Sequence, residues 1–184
     1  MTGVQTCALP ILLIDAGDAM QGAAANFYFN YADTLSPHIF PRIASYMAYD
    51  AFIPGPDEIQ GGLITPRVKK DFRKMRVPVV TGDDFVILKK GGLKIAVLSS
   101  MGALEKVKKH NPNLVVLKSH AKEIPQNLEG IDFLLSAHDH KALAEMRGKT
   151  CILNAGSYAK NLGHGNVLIE VKGGKVVSKK VSGK

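Results

Sequence analysis

Short apolar runs broken by Gly, Pro, Asp and Lys dominate this chain, with helical spacing confined to a few stretches between them. The runs predict strands at 11–15, 51–54, 78–81, 85–88, 93–98, 114–118, 131–136, 150–154, 166–171 and 175–180. Apolar positions three and four apart predict helices at 36–48, 61–75, 102–109 and 120–128. The pairs Gly91-Gly92 and Gly173-Gly174 lie between β-rich runs, so both read as hairpin turns that set antiparallel strands beside the others. Alternating strand and helix signals predict an α/β layered architecture: two sheets facing each other over one core, flanked by helices. Neither repeats nor a low-complexity linker interrupts the pattern, which makes 11–184 a single domain.

Chemistry enters where several of these strands end. Leu12-Leu-Ile-Asp-Ala-Gly-Asp18 breaks from an apolar run into acidic residues, Leu114-Val-Val-Leu-Lys-Ser-His120 ends in a histidine, and Leu134-Leu-Ser-Ala-His-Asp-His140 ends in two. On extended chain His138 and His140 point the same way, whereas on a helix they would diverge by about 200°. An isolated H-x-H is as readily a solvated loop, but three strand ends in succession each deliver a metal-capable side chain: Asp18, His120, and the pair His138 and His140. Parallel sheets hold their ligands at the carboxyl ends of their strands. Imidazole and carboxylate donors suit zinc, manganese or iron, and two ions about 3.5–4 Å apart can clamp both oxygens of a displacement at phosphorus.

Taken in order, these segments resemble the calcineurin-like metallophosphoesterases, and within them the amino-terminal domain of the 5'-nucleotidase and UDP-sugar hydrolase group. Asp15-Ala-Gly-Asp-Ala-Met-Gln-Gly22 is similar to that group's D-A-G-D-x-x-Q-G motif, Ser119-His120 to its S-H, Ala137-His-Asp-His140 to its G-H-x-H, and Asn154-Ala-Gly-Ser-Tyr158 with Leu162-Gly163 to its N/Q-A-G-x-Y…L-G segment. The resemblance implies a four-layer metallophosphoesterase fold and two divalent transition metals, Mn, Zn or Fe. It makes Asp18 the bridging carboxylate, His120 and His138 ligands of one ion, and His140 a ligand of the other. Two departures stand out. The family's opening strand carries D-x-H, which nothing before Asp15 matches; where the family has G-N-H-E/D this chain has Gly55-Pro-Asp-Glu58. Pro56 cannot ligate, Asp57 stands at the position of the proton-handling histidine, and Glu58 alone survives. The catalytic acid/base position is thus Asp57 and Glu58 in degenerate form.

The resemblance implies a metal-dependent phosphoric-ester hydrolase of 5'-nucleotidase type, impaired in this form, acting on a small anionic substrate such as a nucleotide. A sulfur-compound hydrolase similar to the thiosulfohydrolases, or a non-catalytic binding domain on the same fold, are the alternatives. A periplasmic or extracellular location is implied by resemblance alone, as is a carboxy-terminal substrate domain that this chain is too short to hold. The segment Met1 to Pro10 has no apolar periodicity and reads as a non-native or disordered tail.

Composition adds less. The chain has 184 residues, 46% of them hydrophobic, enough for one sizeable core. The net charge of +8 comes from lysines spread through Lys69–Lys74, Lys89-Lys90, Lys106–Lys109 and the segment from Lys172, without interleaved aromatics, so the pattern is a solvated basic surface rather than a nucleic-acid stripe. No run of apolar residues is long enough to span a membrane. Cys151 reads as a buried thiol, and Cys7 lies in the tail. Asp50 reads as a cap or turn former, His38 as a surface residue, His110 as a helix-end cation, and His164 as a possible neighbour of the site.

Overall fold

The structure is a computed structural model that describes residues 12–172 and 175–184. The expectations for the tail at 1–10, with Cys7, and for the Gly173-Gly174 turn lie outside the described residues. Along the chain come β1 (Ile14–Asp15), α1 (Ala24–Phe27) running into a π-turn (Tyr28–Ala32), α2 (Ile39–Tyr46), β2 (Ala51–Phe52), α3 (Pro56–Gln60) and α4 (Pro66–Lys74). They are followed by β3 (Phe85–Lys90), β4 (Leu93–Leu98), a 3-10 turn (Met101–Ala103) leading into α5 (Leu104–Lys108), β5 (Leu114–Ser119) and β6 (Phe133–Ser136). The last elements are β7 (Ala142–Arg147), β8 (Thr150–Ala155), β9 (Gly165–Lys172) and β10 (Lys175–Gly183).

Six strands form one mixed sheet in the order β3-β4-β5-β6-β8-β7. β4, β5, β6 and β8 run parallel, and antiparallel β3 and β7 close the two edges. Because side chains alternate along a strand, Ile95, Val97, Leu114, Val116, Phe133 and Leu153 enter one core while Ala96, Leu98, Val115, Leu117, Leu134 and Ile152 enter another, beneath α5. A sheet buried on both faces reads as a continuous apolar run, which is how these strands were recognisable.

The layer facing the first core is divided. On one side β1 pairs in parallel with β2, and Phe52 bridges to Val79; on the other, β9 and β10 form an antiparallel pair of their own. An apolar cleft of about 530 Å³ opens between them, bordered by Leu12 and Ile14 on one side and Val167 and Ile169 on the other. Helices α2 and α4 cover the outer face of β2, where Phe52 and Phe72 stack with ring centroids 5.0 Å apart. The result is the expected four-layer α/β arrangement, with the second sheet in two pieces.

Local chemistry explains where the elements depart from expectation. The helix expected over 61–75 starts at Pro66, because Thr65 caps it by accepting from Val68 N–H at 3.2 Å and the proline occupies the first helical position. The strand expected at 78–81 is reduced to the Phe52–Val79 bridge: Pro78 has no N–H and contributes only its carbonyl, to Phe52 N–H at 2.9 Å. No helix forms over 120–128. There Ser119 Oγ accepts from Ala121 N–H, an alternative to a helical first turn, and Pro125 would clash with one. Strand β7, Ala-Leu-Ala-Glu-Met-Arg, was hidden by its helix-forming composition; pairing with β8 across the Gly148 turn overrides that preference. The Gly91-Gly92 turn is as expected, with both φ angles positive.

His38 is also a correction, since it is fully buried rather than on the surface. It caps α2 through Nδ1, which accepts from Phe40 N–H at 3.1 Å, and its Nε2 lies 2.8 Å from Asn30 Oδ1. Asp71 of α4 in turn accepts from the His38 backbone N–H at 3.0 Å. Cys151 is buried as expected. Asp50 acts as a tie: its Oδ2 accepts from Leu13 N–H at 2.9 Å and from Lys90 Nζ at 2.7 Å.

Candidate metal centre

The carboxyl ends of β1 and β2 meet those of β5 and β6 where the two layers come together. Two loops must first approach very closely. Gly17, at φ +95°, packs against Gly55 so tightly that a Cβ on it would collide with the Gly55 backbone, and a Cβ on Gly55 would collide with the Asp18 carboxylate. Glycine at both positions is therefore a steric requirement. Glu58 fastens the approach. Fully buried at the third position of α3, it accepts from Gly55 N–H at 2.7 Å, Asp18 N–H at 2.8 Å and Met20 N–H at 2.9 Å. Its two oxygens thus join the β1–α1 loop to the β2–α3 loop.

This latch presents Asp18 towards the six-stranded sheet. Asp18 Oδ2 lies 2.8 Å from His120 Nε2, at the end of β5. The His138 ring stands next to that of His120, with centroids 5.8 Å apart and planes at 74°. His140 points to a different neighbour, the ring of Tyr158 at 6.3 Å. Asp18, His138 and His140 all adopt left-handed backbone conformations, with φ of 59°, 100° and 60°, which a non-glycine residue holds only when its surroundings impose them. Asn154 helps to impose the loop, since its Nδ2 donates to Asp139 Oδ1 at 2.8 Å between the two histidines. Asp57 is exposed in the first turn of α3; its backbone N–H donates to Asp18 Oδ1 at 3.2 Å, and its carboxylate accepts from Gln21 Nε2. His164 lies away from the site, exchanging backbone hydrogen bonds with Lys184 at 2.9 Å, and His110 lies against Phe85.

Electrostatics at this junction are dominated by burial. Asp15, whose Oδ1 accepts from Gly17 N–H, is pushed up to about 6 chiefly by desolvation, with Glu58 and Asp18 adding to the rise. Burial, and then the charge of Lys118, holds the His120 imidazole below its usual value, which favours the neutral form a metal ligand needs. His120 Nδ1 is buried without a hydrogen-bond partner, although the Ala16 carbonyl lies near enough to the ring to favour its charged form. His120 Nε2 beside the Asp18 carboxylate, with the His138 imidazole next to it, is a donor set that suits one transition-metal ion. Pro56 offers no side-chain donor and His140 is turned to Tyr158, and among the described residues no three His, Cys, Asp or Glu side chains, Asp18, His120 and His138 included, stand close enough together to form a ready-made ion site.

Sequence reasoning passed over Lys118. The signal was available: a lysine inside the apolar run of β5, two residues before His120. Its side chain is buried, its Nζ donates to Pro54 O at 2.8 Å, and it lines a cleft of about 390 Å³ together with Gly55, Thr81, Ser99 and His120.

Solved structures of similar shape place this architecture. The chain superposes on a calcineurin-like phosphoesterase, YfkN from Bacillus subtilis, with a TM-score of 0.69 at 16% identity, covering 94% of this chain and 76% of that one. It has the metallophosphoesterase fold. The SoxB sulfate thiohydrolase of Thermus thermophilus superposes at a TM-score of 0.62 and 18% identity, and a putative 5'-nucleotidase from Staphylococcus aureus at 0.59 and 17%. These two cover 94% and 93% of this chain but only 38% and 44% of their own, so the chain spans less than half of either. At such identities the likeness speaks for the metallophosphoesterase fold alone. No protein-family model matches the sequence, and neither does any curated protein. Among the described residues no helix is long and apolar enough to cross a membrane.

Proposed function

We propose that this chain is a metal-dependent phosphoric-ester hydrolase domain of 5'-nucleotidase type that keeps one ion site and lacks the second. The observation that carries this reading is the contact of Asp18 with His120 across the two layers at 2.8 Å, with His138 beside it. Asp18, His120 and His138 would hold one divalent ion, Mn, Zn or Fe, whose positive charge would stabilise the phosphoryl oxygens of a small ester such as a nucleotide. Glu58 keeps Asp18 in place through the backbone of both loops. Lys118 and His120 border the cleft that would receive the ester. Asp57 stands at the proton-handling position. A carboxyl group is ordinarily a poorer match than an imidazolium for general acid catalysis near neutral pH, and loss of general acid catalysis typically costs 10²–10⁴ in rate.

The test is a titration with Mn(II) or Zn(II) followed by assays on AMP and p-nitrophenyl phosphate. The expected result is one ion bound, absent in Asp18→Asn, with turnover at or just above that of the Asp18→Asn protein. Pro56→Asn combined with Asp57→His should raise turnover. Metal binding that Asp18→Asn leaves intact overturns the reading, as does vigorous metal-dependent hydrolysis by the unchanged chain. A second reading, a binding domain that kept the fold without catalysis, is favoured by Pro56 and by the turning of His140 to Tyr158. It is the reading left if the repaired chain binds metal and stays inert.

A further inference from the structure

The gap in the second layer is bordered by two strand edges as well as by side chains. On β1, Leu13 turns both backbone groups towards β2: its carbonyl accepts from Asp50 N–H at 2.8 Å and its N–H donates to Asp50 Oδ2 at 2.9 Å. The Asp15 carbonyl turns the same way, to Ile53 N–H at 3.1 Å. Backbone groups alternate sides along a strand, so Ile14 directs its N–H and carbonyl away from β2, into the gap. β9 does likewise from the other side. His164 and Lys184 exchange two hydrogen bonds at 2.9 Å, and in the register that pairs Gly165 with Gly183 and Val167 with Val181 this turns the backbone groups of Val167 and Ile169 away from β10. Among the described residues no further strand pairs with either edge. The floor between them is apolar, made by Ile95, Val116, Phe133 and Leu153 of the six-stranded sheet.

Two such edges over one apolar floor suit a guest that brings backbone hydrogen bonds on both sides and apolar side chains beneath, which an extended strand does. A hydrocarbon chain would leave the edges unanswered. Charge narrows the guest further, because the lining of the cleft carries Lys90 and His164 and no carboxylate. We propose that this cleft receives an extended segment of a partner protein, apolar at alternate positions and acidic at its ends, which joins β1 to β9 and makes the second sheet continuous. The guest braces β1, whose end leads into the Asp18 loop. Such a slot is independent of what the metal centre binds.

The probe is a labelled synthetic peptide of about six residues, the usual strand length, in which valine and isoleucine alternate with threonine and glutamate stands at both ends. Fluorescence anisotropy should show saturable binding to the intact chain, and hydrogen exchange should slow at the Ile14, Val167 and Ile169 amides. N-methylation of alternate peptide nitrogens removes backbone donors while keeping every side chain, and should weaken binding about tenfold or more. Val167→Pro should do the same from the protein side; the N–H it loses faces the gap rather than β10, and circular dichroism checks that the fold survives. Should Val167→Pro fail to fold, the N-methylated peptide decides alone. Lysine in place of the two glutamates should weaken binding at low salt. Absence of saturable binding overturns the proposal, as does equal affinity for the lysine peptide. Equal binding of the N-methylated peptide marks an apolar small-molecule site instead, and dimerisation of the chain that the peptide competes away marks a second copy as the guest; either overturns it.

Discussion

The six-stranded sheet is covered on both faces, whereas the layer opposite it is split between β1–β2 and β9–β10 with a cleft of about 530 Å³ in the gap. Both present apolar side chains to the core they share, so hydrophobicity does not separate them. Ladder partners do: β5 is paired on both sides, while β1 and β9 each pair on one side only among the described residues. Half of the candidate centre stands on each region, His120, His138 and Lys118 on the complete sheet and Asp18 and Glu58 on the divided layer. The complete sheet is thus a rigid platform, and the partner it holds is less well braced.

The largest expected effect contrasts the two directly. Leu117, 1% exposed in β5, should cost about 3–4 kcal/mol when changed to alanine, through lost burial plus the cavity left behind. Val167, partly buried on β9 beside an existing cleft, should cost about 1 kcal/mol or less as alanine, because its surroundings are already open. Urea denaturation of both variants measures the gap. Equal losses would mean that the divided layer is packed as firmly as the sheet. Amide hydrogen exchange should agree, with β5 protected near the global limit and β9 exchanging faster.

A comparable effect belongs to the helices that cover the divided layer. Burial holds His38 at about 4, against 6.5 for the free side chain, so the folded protein refuses a proton that the unfolded chain accepts. Stability from this residue is complete above about pH 6.5 and is lost as pH falls towards 4. The loss should reach the order of 3 kcal/mol, at about 1.4 kcal/mol per pH unit. His38→Asn retains a capping oxygen and has no proton to gain. Its denaturation midpoint should therefore fall less than that of the unchanged chain between pH 7 and 4.5, and parallel declines would remove His38 as the cause.

Legibility in the sequence followed the same division. Strands β4, β5, β6 and β8 were plain because burial on both faces makes unbroken apolar runs, and Asp18, His120 and His138, which the fold brings together, were picked out as candidates because each follows an apolar run. β7 was lost because Ala, Leu, Glu and Met favour helix until a neighbouring strand supplies hydrogen bonds. His38 was misplaced because a buried histidine is made acceptable by Asn30, Phe40 and Asp71, partners that only the fold brings near. Lys118 was passed over for a related reason: its ammonium is received by the carbonyl of Pro54, 64 residues away in sequence. Polar residues in the interior are specified by tertiary contact, which hydrophobic patterning does not record.

Glu58 tests, at intermediate size, the latch that joins the two loops of the divided layer. Glu58→Gln keeps the shape but trades charge-assisted bonds to three backbone N–H groups for weaker ones, and turns an amide donor towards donors. A loss of about 2 kcal/mol is expected. Because the latch positions Asp18, Mn(II) affinity should fall as well. Lower melting temperature with unchanged Mn(II) binding would show that Asp18 is positioned from the sheet side alone.

The smallest effect probes a tie at the far edge. Asp50, before β2, reaches Leu13 beside β1 and Lys90 at the end of β3, so one carboxylate links the divided layer to the complete sheet. Asp50→Asn should retain the Leu13 bond through its remaining oxygen and forfeit only the charge attraction to Lys90. The pair is 2.7 Å apart with the two side chains 33% and 15% exposed, which places its value at the upper end for partly solvated ion pairs, about 0.5–1 kcal/mol. Other contacts of Lys90 make a single variant ambiguous, so the measurement is a double-mutant cycle of Asp50→Asn and Lys90→Met. The coupling should shrink as salt is raised, because solvent reaches both groups. A coupling near zero at low salt would mean that packing alone joins the two regions at this edge, leaving the Asp18–His120 and Lys118–Pro54 contacts as polar links between them at the site.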